Sequence, residues 1–258
     1  MKYFIDISVL LFGGIIGSFL NVCIYRLPRN KSIVFPPSAC PACGKRIEWY
    51  DNVPLISYLF LKGRCRRCGN RISVKYPLVE SMTALFFFLL YKKYGLSLEL
   101  PVQMLFVSLL IVISFVDLDF RIIPDVLSVG GVVAGFFLAF ARPFFGFLSA
   151  IYGIILGGGI LFVIAFIYQL VTKREGMGGG DIKLLAMIGS FCGVQGVVFT
   201  LMSGSLLGTL VGLPLMLIKG ETTKYAVPFG PFLSLGALVY VFAGEELIYG
   251  FLNLISGG

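Results

Sequence analysis

The chain has 258 residues, of which 58% are hydrophobic and only 13% are charged. A soluble domain carries about twice that charged fraction. The mean hydropathy of +0.95 therefore excludes a water-soluble globular protein and a disordered one, and indicates a membrane protein with several spanning helices. The sequence contains no histidine, which excludes Ser-His-Asp triads, Cys-His pairs and His-ligated metal sites.

Apolar segments follow one another along the chain and predict an all-α polytopic membrane protein with about eight transmembrane helices. A spanning helix needs about 20 residues, so the 37-residue stretch 182–218 is too long for one. We expect two short helices there, with a turn near Gly193–Gly196. The predicted segments are 5–25, 77–91, 100–116, 126–141, 144–171, 182–193, 194–218 and 227–243. The first has an acid at Asp6 and no small-residue cleavage site, so it is predicted to be a retained helix.

The distribution of basic residues predicts the orientation of these helices. If the N-terminus lies outside, the loops 26–75, 117–125, 172–183 and 219–226 are cytoplasmic and hold 17 of the 21 Lys and Arg residues. Only 4 then remain on the outer side, as the positive-inside rule requires. The segment 26–75 alone carries 11 of them. Nucleic-acid binding is the weaker interpretation of this basic block, and we expect no nucleic-acid partner.

The one predicted soluble insert contains two CxxC pairs, separated by 21 residues: Cys40, Cys43, Cys65 and Cys68. This spacing is typical of a tetrahedral zinc site with four thiolate ligands, which leaves no open position and is therefore structural. The alternative is two disulfides, which a reducing cytoplasmic loop disfavours. The chain is thus predicted to divide into a first helix (1–25), a small cytoplasmic zinc-binding loop domain (26–75) and a transmembrane catalytic domain (76–258).

Carboxylates at the edges of apolar segments are costly in a membrane and indicate function. Asp117 and Asp119 close the third segment, and Asp181 opens the sixth after Gly178 and Gly180. Two carboxylates that meet can share one proton, so that one acts as a base on water and the other as an acid toward a scissile amide. Glycines beside an acid let the backbone and a substrate approach closely. The pattern predicts aspartic-protease chemistry at the cytoplasmic face.

Structural alternatives remain for several of these acids. Asp125 and Asp181 each precede an apolar run, where Asp is a favoured helix N-cap. For Asp125 the N-cap is the preferred interpretation, because Ile123-Pro124-Asp125 forms a turn before the fourth segment. Glu80 lies inside the second segment, and the sequence leaves open whether it is a hydrogen-bonded packing residue or a functional one.

Taken in order, the motifs resemble the type IV prepilin peptidases, bacterial intramembrane aspartic proteases of the GxGD type. The resemblance covers nearly the whole chain. It is carried by residues 17–29, the four-cysteine loop, 52–58, Tyr76-Pro77 followed by Glu80, 117–125 and Asp181-Ile-Lys183-Leu. A transporter or proton channel, whose acids relay protons and whose zinc loop docks a partner, is the alternative function.

The resemblance implies a catalytic pair of Asp117 and Asp181, with Asp119 as the other candidate for the first acid. Supporting residues would be Asp119, Lys183, Glu80, Gly178 and Gly180. Family members cut a short basic leader from prepilins or pseudopilins of type IV pilus and type II secretion systems, at the cytoplasmic side of the bacterial inner membrane. Members with the cysteine loop also N-methylate the new terminus with S-adenosylmethionine, and the position linked to methylation is Gly63. The implied partners are these substrates and membrane lipid.

Overall fold

The structure, a computed structural model, describes residues 2–142, 146–173, 178–219 and 228–255. These residues form α-helices, two 3₁₀ turns and their connecting segments, with two isolated β-bridges and no strand among them, so the predicted all-α fold is confirmed. The helices are α1 Lys2–Arg26, α2 Ile56–Phe60, α3 Lys75–Tyr94, α4 Glu99–Phe120, α5 Asp125–Ala139, α6 Phe147–Thr172, α7 Gly179–Lys219 and α8 Gly230–Ile255. Parts of the predicted loops 172–183 and 219–226 lie outside the described residues.

Four helical stretches of the described chain are long and apolar enough to cross a membrane: Tyr3–Arg29, Glu99–Phe120, Phe147–Thr172 and Gly179–Pro214. The apolar helices Asp125–Ala139 and Gly230–Gly244 are shorter. Helix α3 contains Lys75, Glu80, Lys92 and Lys93, which lower its hydropathy. The coarse prediction of a polytopic protein therefore stands, whereas the number of eight spans stays a prediction.

Helix α7 is interrupted within the predicted 37-residue stretch. Its backbone leaves the helical region at Gly193, where φ is 66° and ψ is −167°. A positive φ of this kind favours glycine. The interruption predicted near Gly193–Gly196 is therefore confirmed, and it lies at Gly193. Just before it, the buried guanidinium of Arg142 donates a hydrogen bond of 2.7 Å to the carbonyl oxygen of Phe191.

The chain divides into two compact units, Met1–Val112 and Ile113–Gly258. In the first unit α1 packs against α3. The contacts step by four residues in opposite directions along the two helices: Gly13 with Ala84, Gly17 with Glu80, and Asn21 with Tyr76. The helices are therefore antiparallel. A Cβ at Gly17 would lie 2.7 Å from the Cα of Glu80, so glycine permits this close approach of two backbones.

In the second unit α7 is the central helix, since it packs against α5, α6 and α8. Its first half is buried on several sides, with fully buried Leu184, Leu185, Met187, Ile188 and Phe191. Helix α6 instead exposes a series of large apolar side chains, including Ile155, Phe162 and Phe166. An apolar helix with so many exposed side chains suits a lipid environment.

Candidate active site and metal centre

Asp117 lies in the last turn of α4, and its side chain is only 6% exposed. A buried carboxylate needs hydrogen-bond donors. The N–H of Gly230, the first residue of α8, donates to its Oδ2 at 3.1 Å. The helix ends at Phe120, and the next residue, Arg121, adopts a left-handed φ of 56° and donates its N–H to the Asp117 carbonyl oxygen at 2.9 Å. This C-terminal turn follows the usual αL pattern and holds Asp117 beside the start of α8.

Asp181 lies half-buried in the first turn of α7. Between the helix starts lies the side chain of Ile123. A Cβ at Gly180 would be 3.1 Å from the Cβ of Ile123, and one at Gly230 would be 3.4 Å from its Cδ1. The ends of α4, α7 and α8 therefore meet around one apolar side chain, and the two acids lie at this junction.

The other candidates near this junction differ in burial. Asp119 is exposed, unlike Asp117 two residues earlier. The ammonium of Lys183 donates to Oδ1 of Asp125 at 2.6 Å in an exposed ion pair that joins the first turns of α5 and α7. Gly178 is exposed, and its carbonyl oxygen accepts the Asp181 N–H at 3.2 Å.

The N-cap interpretation is wrong for Asp125 and also for Asp181. Helix α5 has Pro124 as its N-cap, and Asp125 is the first helical residue. The carbonyl oxygen of Pro124 accepts the first N–H groups of the helix, and the Asp125 carboxylate pairs with Lys183. Helix α7 begins at Gly179, so Asp181 lies inside its first turn. An acid there interacts favourably with the helix dipole.

The four cysteines of the insert converge. Their Sγ atoms all lie within 4.8 Å of one another, and those of Cys40 and Cys68 are 3.9 Å apart. Four sulfurs at about 2.3 Å from a tetrahedral zinc ion would be about 3.8 Å apart, so the cluster fits zinc closely. A disulfide needs about 2.05 Å between sulfurs, and these cysteines are free thiols.

The two CxxC knuckles have the same backbone. Gly44 (φ 68°) donates its N–H to the Cys40 carbonyl oxygen at 2.8 Å, and Gly69 (φ 69°) donates to that of Cys65 at 2.9 Å. Backbone N–H groups of Cys68 and then Arg67 lower the pKa of the Cys65 thiol to about 7. A thiolate is the form that binds metal. Local backbone geometry therefore prepares this ligand for a cation.

An ion pair fixes the second knuckle to the preceding 3₁₀ turn, Trp49–Asn52. The guanidinium of Arg66 donates to both carboxylate oxygens of Asp51, at 2.7 to 3.1 Å. An Arg–carboxylate pair with two contact points restricts the relative orientation of the guanidinium and the carboxylate as well as the distance between them. At least one basic side chain of the insert therefore forms an ion pair inside the insert.

Glu80 is 8% exposed and connects α3 to the insert. Its Oε2 accepts the N–H of Leu55 at 2.8 Å, immediately before α2. Leu55 has a φ of 60°, an uncommon conformation for a branched residue, so this hydrogen bond stabilises a strained turn. Close by, Gly63 has a φ of 65°, and a Cβ there would lie 3.0 Å from the hydroxyl oxygen of Tyr58.

Comparison with known proteins covers both units. The family model described as "Bacterial Peptidase A24 N-terminal domain" matches residues 11–94, and that described as "Type IV leader peptidase family" matches residues 104–213. A Pseudomonas putida protein named prepilin leader peptidase/N-methyltransferase is 34% identical over 98% of this chain and 96% of its own length. The chain belongs to the type IV leader peptidase family.

Other relatives of this family member carry the same printed name. The Bacillus subtilis protein is 34% identical over 96% of this chain and 98% of its own. The Myxococcus xanthus protein is 41% identical over 83% of this chain, a match that spans 64% of that longer protein. No solved structure matches. These relatives, with the apolar helices, identify a multi-pass membrane protein and give no support to a transporter or proton channel.

Several residues around the candidate acids and in the cysteine insert were not predicted from the sequence. Gly230 and Ile123 contact the candidate acids or their helices, and Leu55 and Tyr58 organise the insert. A glycine followed by proline before an apolar run is a helix-start signal that marks Gly230. Nothing in the sequence singles out Ile123, because its role depends on three helix ends that are distant along the chain.

Proposed function

We propose that this protein is a prepilin leader peptidase and N-methyltransferase of the bacterial inner membrane. Its substrates would be type IV prepilins or pseudopilins, whose basic leader it removes before it methylates the new N-terminus with S-adenosylmethionine. The proposal is supported by relatives of that name at 34% identity over nearly the whole chain. The observation that supports the peptidase half is the meeting of the ends of α4, α7 and α8 around Ile123, which brings Asp117 and Asp181 to one junction, both within the leader peptidase match.

The proposed cleavage adds water across an amide bond. One aspartate takes a proton from water as the oxygen attacks the carbonyl carbon, and the other donates a proton to the leaving nitrogen. The carbon–nitrogen bond breaks and both product termini are complete. The hydrogen bond from Gly230 to Asp117 restrains one carboxylate, which favours the constant geometry that the chemistry needs.

Burial supports Asp117 as the first catalytic acid in preference to Asp119. Asp119 is exposed and would serve at most as a supporting residue. Gly180 would act by leaving room for Ile123, and Gly178 by allowing the chain to turn into α7. Lys183 would support the site through its ion pair with Asp125.

The membrane arrangement is proposed from charge and hydropathy. The chain would cross the bilayer eight times with its N-terminus outside and both aspartates at the cytoplasmic face. Residues 1–25 would form the first span, 26–75 the cytoplasmic zinc domain and 76–258 the transmembrane catalytic domain. Cys40, Cys43, Cys65 and Cys68 would hold a structural zinc ion, and Gly63 is proposed as a position that affects methyl transfer.

The peptidase is tested with the purified full chain in detergent, a prepilin substrate and mass spectrometry, which reports leader loss and the added methyl mass together. Asp117→Asn and Asp181→Asn should each lower the cleavage rate by about 10²–10⁴-fold, the usual contribution of an acid or base. Asp119→Asn is the matched control and should cleave at close to the wild-type rate. Cleavage by Asp181→Asn at the wild-type rate would overturn the mechanism, and loss of cleavage in Asp119→Asn alone would reassign the first acid.

A further inference from the structure

We propose that residues 53–61 of the cysteine insert enter the hydrocarbon region of the bilayer and leave it on the same side, with one face of α2 against lipid acyl chains. This re-entrant segment reads Val-Pro-Leu-Ile-Ser-Tyr-Leu-Phe-Leu and carries no charge. Its nine residues are too few to span a membrane, since a spanning helix needs about 20. A segment of this length that enters a bilayer must therefore return to the surface from which it came.

The depth of the re-entrant segment follows from its contact with α1. A Cβ at Gly14 would lie 3.4 Å from the Cβ of Pro54, so Pro54 packs directly against this glycine. Gly14 is the middle residue of α1, which is long and apolar enough to cross a membrane. From Gly14 to Arg26, the basic end of α1, the helix rises about 18 Å at 1.5 Å per residue. Because the hydrocarbon core is about 30 Å thick, a centred α1 places Pro54 at hydrocarbon depth.

Helix α2 is too short to return the chain to the membrane surface. Its five residues, Ile56–Phe60, rise about 7.5 Å, less than half of the distance from Gly14 to the basic end of α1. Its start is held at a second point by Glu80 of α3, whose Oε2 accepts the N–H of Leu55 at 2.8 Å. Helix α2 therefore lies at the depth of large apolar side chains that α1 exposes, Leu11, Phe12, Ile15 and Phe19.

The two faces of α2 have the polarity expected in lipid. Ile56, Leu59 and Phe60 are all exposed, Leu59 to 74% and Phe60 to 82%, and their i, i+3, i+4 spacing puts them on one face of the helix. The polar Ser57 is buried, and its hydroxyl donates to the carbonyl oxygen of Tyr50 at 2.8 Å. A helix on a water-facing surface shows the reverse arrangement, with its apolar side chains inside and its polar side chains outside.

The three residues before α2 have no unpaired backbone N–H group. Water is absent from the hydrocarbon region, so non-helical backbone there must find its partners within the protein. The N–H of Val53 donates to the hydroxyl oxygen of Ser57 at 3.1 Å, and Pro54 has no N–H to satisfy. The N–H of Leu55 donates to the buried carboxylate of Glu80. The turn into α2 is thus compatible with an environment that supplies no water.

The residues around the re-entrant segment suit the membrane surface. Lys62 and Arg64 follow the segment and are both exposed. Basic side chains at this level reach the phosphates of lipid headgroups. Before the segment lies the exposed Trp49, a residue type enriched at membrane interfaces, and the nearby carboxylate of Asp51 is paired with Arg66. An interfacial aromatic residue, an apolar segment and then basic residues form the order expected for a chain that enters and leaves one leaflet.

The test places a single tryptophan on α2 and measures its quenching from lipid and from water. Trp49 is the only tryptophan of the chain, so Trp49→Phe provides a background without tryptophan fluorescence. In this background Phe60→Trp reports on α2. Phe35→Trp is the matched control, because Phe35 is a 73% exposed aromatic residue of the same insert. It lies at the basic end of α1, where Arg26 donates to the carbonyl oxygen of Pro36 at 2.6 Å.

The full chain is measured in phosphatidylcholine nanodiscs, where dissolved quenchers reach both membrane faces. Lipids brominated in their acyl chains should quench Phe60→Trp nearly as strongly as Phe12→Trp, a lipid-facing reference on α1, and should quench Phe35→Trp much less. Iodide in the water should quench in the opposite order. The emission maximum of Phe60→Trp should also lie at a shorter wavelength than that of Phe35→Trp.

Two results would overturn the proposal. Iodide quenching of Phe60→Trp as strong as that of Phe35→Trp would place this face of α2 in water. Quenching by neither agent would show that protein, from this chain or a second copy, covers the face. Leu59→Trp repeats the measurement at the other strongly exposed position, so a loss of fold in one variant, detected by circular dichroism, leaves the other to decide. Neither leader cleavage nor methylation enters the measurement, so its result is independent of the proposed function.

Discussion

The hydrogen bond between Gly230 and Asp117 gives the sharpest prediction for the peptidase. In Gly230→Ala the new Cβ would lie 2.6 Å from Oδ2 and 3.3 Å from Cγ of Asp117, and 3.4 Å from Cδ1 of Ile123. An atom pair at 2.6 Å must separate by several tenths of an ångström. Because Asp117 is buried against the start of α8, the carboxylate and the Gly230 N–H move apart.

The size of the effect follows from two terms. A hydrogen bond to a charged group contributes about 1.5–3 kcal/mol, and overpacking costs about 1–3 kcal/mol. If only the loss of this hydrogen bond raises the activation free energy of cleavage, at 1.36 kcal/mol for each factor of ten in rate, the cleavage rate falls by about 10–150-fold. The overpacking term appears as a lower melting temperature.

The assay compares leader cleavage rates of wild type, Gly230→Ala and Gly130→Ala. Gly130 lies on α5 in the same unit and has nothing within 4 Å of its Cβ position. An exposed substitution of this kind changes stability by about 0.5 kcal/mol or less, so Gly130→Ala should cleave within about twofold of wild type. A wild-type rate for Gly230→Ala, in protein of known concentration, would refute the idea that α8 holds Asp117.

Three further predictions concern the ion pair, the helix contact and the metal. Lys183→Met should slow leader cleavage by at most about fivefold, because an exposed ion pair with Asp125 contributes about 0.2–1 kcal/mol. A hundredfold decrease in the cleavage rate would instead indicate a direct catalytic role for Lys183. Gly17→Ala should lower the melting temperature, because overpacking costs about 1–3 kcal/mol and the new Cβ would lie 2.7 Å from a backbone atom of α3. Gly14→Ala should leave the melting temperature unchanged, because its Cβ would lie 3.4 Å from the nearest atom. Elemental analysis should find zinc in the wild type and a loss of zinc in Cys40→Ser, and unchanged zinc content in the variant would disprove the four-cysteine site.

Hydropathy was sufficient to predict the helical fold, because lipid-compatible helices must be apolar along their length. It also located the interruption at Gly193, since no single span accommodates 37 residues. The N-cap prediction for Asp125 was wrong because α5 begins one residue earlier, with Pro124 at the N-cap position, a detail of turn geometry that side-chain preference does not resolve. Local pattern therefore predicts where helices lie better than how each one begins.

Contacts between distant residues could not be read from the sequence. Gly230 follows Asp117 by 113 positions, and no local pattern connects them. The contact of Gly63 with Tyr58 spans only five residues but depends on a left-handed turn, which a glycine permits without requiring. In contrast, the cysteine cluster was predictable because each knuckle is local and metal ligands have a characteristic spacing.

The backbone break at Gly193 has a consequence for the thickness of the surrounding lipid. The first half of α7, residues 179–192, would be about 21 Å long at 1.5 Å per residue, whereas the hydrocarbon core of a bilayer is about 30 Å thick. Exposed carbonyls are not tolerated in hydrocarbon, and the guanidinium of Arg142 supplies a donor to the carbonyl of Phe191 next to the break. Such hydrophobic mismatch is relieved when the membrane thins locally. If each half of α7 spans the bilayer separately, the acyl chain length of the host lipids would be one of the quantities that set the depth of Asp181.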